Sequence, residues 1–165
     1  MKKIRWGILS TGNVANSFVK DIKHVPDAEV IAVGSRNQET ADTFGQKYNI
    51  PHCYSSYEAL ANDPDVDVIY IATPHVFHAE NSILCMEAGK AVLCEKAFCI
   101  NAGEAEKMIL SARENNVFLM EALVTRHIPV IHQALDWIKD GLIGEVRIVQ
   151  ANRCVREEFT LESRV

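Results

Sequence analysis

The first group of residues with chemistry to offer in this chain of 165 residues surrounds a glycine turn. The segment Gly7-Ile8-Leu9-Ser10-Thr11-Gly12-Asn13-Val14-Ala15 joins a short apolar run to an amphipathic one. Aligned on the dinucleotide fingerprint GxGxxG/A, it puts Ser10, Gly12 and Ala15 at the three small-residue positions. The middle glycine lets the backbone approach a pyrophosphate, and Ala15 is small enough for close helix–strand packing. Amides at the start of the following helix then point at the phosphates, which the helix dipole favours. Ser10, Thr11, Gly12, Asn13 and Val14 are therefore candidate cofactor-binding residues. Serine in the first position weakens the fingerprint, and a plain strand-to-helix turn is the competing reading. Ser35-Arg36, at the end of the second apolar run, falls where a ribose-reading residue is expected, about 20 residues on. An acidic residue there would bond the 2′-hydroxyl and repel a 2′-phosphate. Arg36 does the opposite, because a guanidinium grips phosphate through two hydrogen bonds. NADP(H) is thus expected ahead of NAD(H).

Other reactive side chains exclude more than they suggest. His75-x-x-His78 has a zinc-like spacing, but no further Cys or His ligands cluster near it, and no metal is expected. The five cysteines are odd in number and form no CxxC pair, so they read as reduced, buried or partly buried thiols in a reducing cytoplasm. Hydrophobic residues at 48% and charged residues at 24% match an ordinary soluble globular protein. The net charge of -5 is spread along the chain without a basic stripe, which argues against nucleic acid as a partner. Apolar runs are strand-sized, too short to span a membrane. The basic Met1-Lys2-Lys3 precedes too few apolar residues for a secretory signal. A cytoplasmic protein is expected.

The elements that must position these residues alternate from the start. Strands are expected over 4–9, 29–34, 52–54, 66–72, 91–94, 117–124 and 144–151. Helices are expected from Gly12 onward and over 38–48, 76–88 and 129–139. Ser55-x-x-Glu58 and Asn101-x-x-Glu104 are capping-box patterns, the first opening a small helix that ends near Asn62 and the second a helix running to about Asn115. Gly89 is a C-terminal stop and Asp63-Pro64-Asp65 a turn. Continuous apolar strands spaced by amphipathic helices mean a parallel sheet covered on both faces, a doubly wound α/β architecture of the Rossmann kind. The expected division is residues 1–122 as the NAD(P)-binding domain and 123–165 as the beginning of a second, α+β domain. The last strand has no partner in the sequence with which to make a second sheet.

Five strings in order resemble the Gfo/Idh/MocA oxidoreductases, and within them the dihydrodiol dehydrogenase group. They are RWGILSTGNVA at the start, IATPHVFH at 71–78, GKAVLCEKAF at 89–98, FLMEALVTRHIP at 118–129 and GLIGEVR at 141–147. The resemblance runs from about Arg5 to Gln150. It implies an NAD(P)-dependent dehydrogenase that moves hydride between nicotinamide and a hydroxyl or carbonyl of a sugar, polyol or dihydrodiol. It also implies that Thr73, Pro74 and His75 line the ribose and nicotinamide side of the cofactor, and that His78 starts the next helix at the same site. Glu95-Lys96 resembles the family's Glu-Lys-Pro motif, whose lysine is the catalytic candidate. An ammonium beside nicotinamide C4 would polarise the substrate oxygen as hydride moves. Arg126 matches the arginine of a Trp-x-Arg pair near the nicotinamide, with Val124 in place of the tryptophan. Glu121 either faces the site or ends a buried strand with a satisfied carboxylate.

Departures from the family pattern lie at Ser10, Val124 and Ala97. Ala97 replaces the motif proline, and a cis bond before a non-proline residue costs about 3 kcal/mol. If the lysine depends on a cis bond there, Lys96 is expected to point differently. The resemblance further implies a second half carrying an antiparallel sheet, which the chain as given does not contain, so it reads as incomplete. A small-molecule substrate is expected, and a homo-oligomer is left open. Two other readings are a non-catalytic nucleotide-binding module needing a partner, and a methyltransferase using S-adenosylmethionine, against which Arg36 argues.

Overall fold

A computed structural model describes residues 3–152 and Cys154. Two compact units divide the chain, 1–122 and 123–165.

The first unit is one six-stranded sheet. Its strands are β1 (Ile4–Leu9), β2 (Ala28–Gly34), β3 (His52–Tyr54), β4 (Val68–Ile71), β5 (Ala91–Cys94) and β6 (Leu119–Glu121). All neighbours pair in parallel, in the order β3-β2-β1-β4-β5-β6. The connections are helices α1 (Asn13–Ile22), α2 (Gln38–Tyr48), α3 (Tyr57–Ala61), α4 (His78–Glu87) and α5 (Ala102–Glu114). This is the doubly wound α/β architecture expected from the alternating pattern. Period-two alternation along the strands sends side chains to opposite faces. Ile8, Val33 and Tyr70 join Ala15, Val19 and Phe44 on the α1–α2 side, while Leu9, Ile69 and Ile71 join Leu60, Met86 and Met108 on the other. Leu60 settles close on the sheet because β2 ends in a glycine: a Cβ on Gly34 would lie 3.0 Å from it.

Several boundaries differ from expectation. The cap of α3 is Ser56, which accepts from the Ala59 amide, rather than Ser55. The helix expected from Val76 opens as a 3-10 turn, His75–Phe77, before α4. The long strand over 117–124 is only β6, and the chain leaves the sheet at Ala122. The strand expected over 144–151 does not form. A strand needs a neighbour to take its backbone bonds, and none is offered among the described residues. The second unit holds a 3-10 turn (Val124–His127) and α6 (Pro129–Lys139), whose Val130, Leu135 and Trp137 are exposed. Among the described residues no helix is long and apolar enough to cross a membrane.

All five cysteines are free. Burial pushes the Cys85 and Cys94 thiols up to about 12, so both are inert. Cys154 is exposed, contrary to the expectation of a buried or partly buried thiol, with no described element following it in the chain to cover it.

A polar knot ties β3, α3 and β4 together. Asp63, 3% exposed, accepts from His52 Nδ1 (2.7 Å), the Tyr54 hydroxyl (3.0 Å) and the Asp65 amide (2.8 Å). Lys90 Nζ donates to the carbonyls of Asp63 (2.6 Å) and Val66 (2.9 Å) beside it. Burial alone would raise the Asp63 carboxyl, but the bonds from His52, Asp65 and Tyr54 outweigh it and hold it below the ordinary carboxylate range. A depressed carboxyl contributes in full above the unfolded value of about 3.9 and stops contributing as pH falls through its folded value. Chemical denaturation across acid pH should therefore show wild-type stability dropping below about pH 4. Asp63→Asn should flatten that slope and cost about 1–3 kcal/mol at neutral pH. A second expectation concerns Ser10, whose φ of 92° is a conformation that favours glycine. Ser10→Gly should raise thermal stability by up to about 1 kcal/mol, and a loss of stability would refute strain at this turn.

Candidate functional site

Every strand of the sheet ends at the same edge, and strand order reverses between β1 and β4. Loops diverge at such a switch point and leave a crevice. Here it is a cleft of about 530 Å³ that brings together Ser10, Arg36, Thr73 and Pro74. Ser55, Ser56, Tyr57, Glu58, Glu80 and Asn81 complete much of its wall. Sequence reasoning misses the Ser55 to Glu58 stretch because Ser55-x-x-Glu58 reads only as a helix cap. The signal was its place directly after β3, on the same edge as Arg36. Burial pushes the Tyr57 hydroxyl up, and the nearby Arg36 guanidinium pulls the other way. Asn81 Nδ2 donates to Thr73 Oγ1 at 3.2 Å and orients the threonine. Ser35 is buried, its amide donating to the Tyr54 carbonyl at 3.0 Å, so Arg36 alone of that pair lines the cleft.

Gly12 caps α1 with φ -69° and ψ -176°, values open to any residue. A Cβ there would meet only Ser10 Oγ, 4.0 Å away. Nothing inside the protein calls for glycine at this position. Asn37, Ser56 and Asn101 cap α2, α3 and α5 with side-chain oxygens, whereas α1 has no side-chain cap. The amides of Asn13, Val14 and Ala15 find no acceptor among the described residues. Asn16 shapes the turn. Its Nδ2 donates to the carbonyls of Thr11 (3.1 Å) and Gly12 (2.9 Å). Its Oδ1 accepts from Lys47 Nζ (2.7 Å) and the Tyr48 hydroxyl (2.7 Å), which fills the capacity of an asparagine. An uncapped helix start behind a glycine with free space above it is a cradle for an anion.

Further along the same edge, Glu95 and Lys96 follow β5. They and His75, which is exposed after β4, lie outside the wall of the cleft. Tyr70, stacked on Phe18 with ring centres 3.8 Å apart, donates to Glu95 Oε1 at 2.5 Å. Burial and this bond push the Tyr70 hydroxyl up, so it remains a donor. Glu95 Oε2 accepts from the Lys96 amide at 3.1 Å. The carboxylate thus braces the Lys96 backbone, and the exposed ammonium has no partner among the described residues. The Lys96–Ala97 peptide is cis, with alanine in the proline position. Glu121 Oε1 accepts from the Phe98 amide at 2.9 Å, so the carboxylate is satisfied at the end of its strand. His78 is 1% exposed, and both ring nitrogens face backbone carbonyls. Both of its polar atoms are thus engaged by the backbone at the start of α4. Arg126 lies in the second unit, its amide donating to the Leu123 carbonyl at 3.1 Å.

Comparison with known proteins bears on this geometry. The chain is 45% identical over 150 residues to the trans-1,2-dihydrobenzene-1,2-diol dehydrogenase of Mus musculus, covering 90% of this chain and 45% of that protein. It is 42% identical over 150 residues to the Homo sapiens protein of the same name, with the same coverage. The chain thus spans less than half the length of these relatives. Among solved structures it resembles KijD10, a 3-ketoreductase from Actinomadura kijaniata in complex with NADP. That match has a TM-score of 0.81 and 33% identity, covering 88% of this chain and 47% of the other. A family profile described as an oxidoreductase family with an NAD-binding Rossmann fold matches residues 4–123, which is the whole sheet and its covering helices. With the cradle at Gly12 on that matched stretch, the chain belongs to the Gfo/Idh/MocA oxidoreductase family.

Proposed function

We propose that this chain carries the cofactor-binding portion of an NADP(H)-dependent dehydrogenase acting on a hydroxyl or carbonyl of a sugar, polyol or dihydrodiol. Gly12 carries the reading, since space is kept free above a residue whose own fold has no use for it. The uncapped amides of α1 and the turn from Ser10 to Val14 would hold a pyrophosphate. Arg36, which makes no ion pair among the described residues, would grip a 2′-phosphate. Thr73, Pro74 and His75, at and beyond the end of β4, would line the ribose and nicotinamide side. When bound, nicotinamide supplies the hydride acceptor or donor. Lys96 is the group that would hold or move a proton at the substrate oxygen, with Glu95 and Tyr70 fixing its backbone. Arg126 is assigned to the nicotinamide end through the family resemblance. Residues 123–165 are read as the beginning of the substrate and dimerisation domain. Diol dehydrogenase relatives and the NADP-bound ketoreductase support the substrate class and the cofactor.

Titration of the chain with NADPH and NADH, followed by calorimetry, tests the proposal. NADPH should bind more tightly than NADH. Arg36→Ala should weaken NADPH by about 10–100-fold, the value of a charge-assisted contact, and leave NADH within about twofold. Gly12→Ala should hold or raise fold stability by about 0.4–1 kcal/mol, since its backbone suits alanine. The same substitution should weaken both nucleotides by at least about tenfold, because its methyl occupies the space needed for close approach. Failure of either nucleotide to bind the wild-type chain would overturn the reading.

A further inference from the structure

His78 stands at the first position of α4, yet its ring serves two loops that are remote in sequence. Nε2 lies 2.8 Å from the Thr73 carbonyl, in the segment that leaves β4, and Nδ1 lies 2.8 Å from the Ala97 carbonyl, in the segment that leaves β5. Carbonyl oxygens only accept, and a neutral imidazole has one N–H and one lone pair. In either neutral tautomer one of the two contacts sets a lone pair against a lone pair. Both contacts are hydrogen bonds only when each nitrogen carries a hydrogen. The ring is 1% exposed, no water can replace a missing partner without displacing it, and no carboxylate pairs with it among the described residues. Among the described residues the other ionisable ring beside it is His75, edge-on with ring centres 6.3 Å apart.

The two loops so joined are those that hold Thr73 and Lys96. Three consecutive residues of the second are each pinned by a side chain: Lys96 through Glu95, Ala97 through His78, and Phe98 through Glu121. Glu95 and Glu121 take hold of amides, and His78 is the one of the three that takes hold of a carbonyl. It is also the one that reaches across to the Thr73 loop.

We propose that His78 is a positioning residue that, in its doubly protonated form, bridges the Thr73 and Ala97 carbonyls and thereby sets where Lys96 stands relative to the Thr73 side of the site. The proposal deepens the cofactor reading above and rests on it only for the consequence at Lys96, because the bridge itself exists without any ligand.

Nitrogen-15 spectra of the histidine rings in the wild-type chain at neutral pH test the bridge directly. The His78 ring, assigned through its own backbone, should show a directly bonded hydrogen on both nitrogens. A hydrogen on one nitrogen only would overturn the proposal, whatever the chain does with NADPH. The positioning role is read from reductive methylation of Lys96, followed by mass spectrometry with and without NADPH. Wild type should be protected by NADPH, and His78→Gln, whose two N–H groups share one nitrogen and so cannot span carbonyls met by separate ring nitrogens, should lose at least about tenfold of that protection. NADPH affinity should change less than about threefold, because the phosphate contacts at Gly12 and Arg36 are untouched. Unchanged protection in a folded His78→Gln protein would refute the positioning role. Absence of NADPH binding by wild type would instead refute the cofactor reading and leave the nitrogen-15 result to stand alone.

Discussion

Everything at this site depends on what happens to a peptide group when it leaves a parallel sheet. Inside the sheet each amide and carbonyl is taken by a neighbouring strand, and past the last ladder bond each must find another partner or water. Because all six strands run the same way, these released groups gather along one edge. The protein meets most of them with side chains. Asn16 takes the Thr11 and Gly12 carbonyls, His78 those of Thr73 and Ala97, and Glu95 and Glu121 the amides of Lys96 and Phe98. The first turn of α1 is treated differently from α2, α3 and α5: its donors are presented behind Gly12, and no side chain among the described residues has come to meet them.

Core and site are continuous in this arrangement. Tyr70 is a core residue by burial, stacked on Phe18 between β4 and α1, yet its hydroxyl emerges at Glu95. Leu60 is a core residue pressed on β2 at Gly34, and the same short helix brings Ser56 and Tyr57 to the cleft wall. Interiors packed at this density transmit displacement rather than absorb it. Altering the hydrophobic layers on either face therefore shifts the polar edge with them.

Much of this was legible in the residues. Continuous apolar runs bounded by glycine and proline marked β1, β3 and β5 at their true limits, and Pro129 set the start of α6. Gly12 and Arg36 stand out because their chemistry is carried by residue type, and Thr73 and Lys96 through the motifs of the family resemblance. What stayed hidden was carried by backbone. Asn16, His78 and Glu121 act on carbonyls and amides, which every residue has, so nothing in the partner's identity points back to them. His78 is the instructive case: the family resemblance put it at the site, and only the structure shows that both of its polar atoms face backbone carbonyls. The strand expected over 144–151 failed for the complementary reason. Alternation tells which side a strand would bury, but not whether a neighbour exists to pair with it.

The tilted contact of Trp6 with Phe18, and the stack of Phe18 on Tyr70, have an optical consequence. The chain has two tryptophans, one in each compact unit: Trp6 packed in this aromatic row, and Trp137, half exposed on α6. Their indoles therefore sit in different dielectric surroundings and emit at different wavelengths. An unfolding curve read at the blue side of the emission follows the sheet and its edge. One read at the red side follows α6, and the two coincide only if both units melt together.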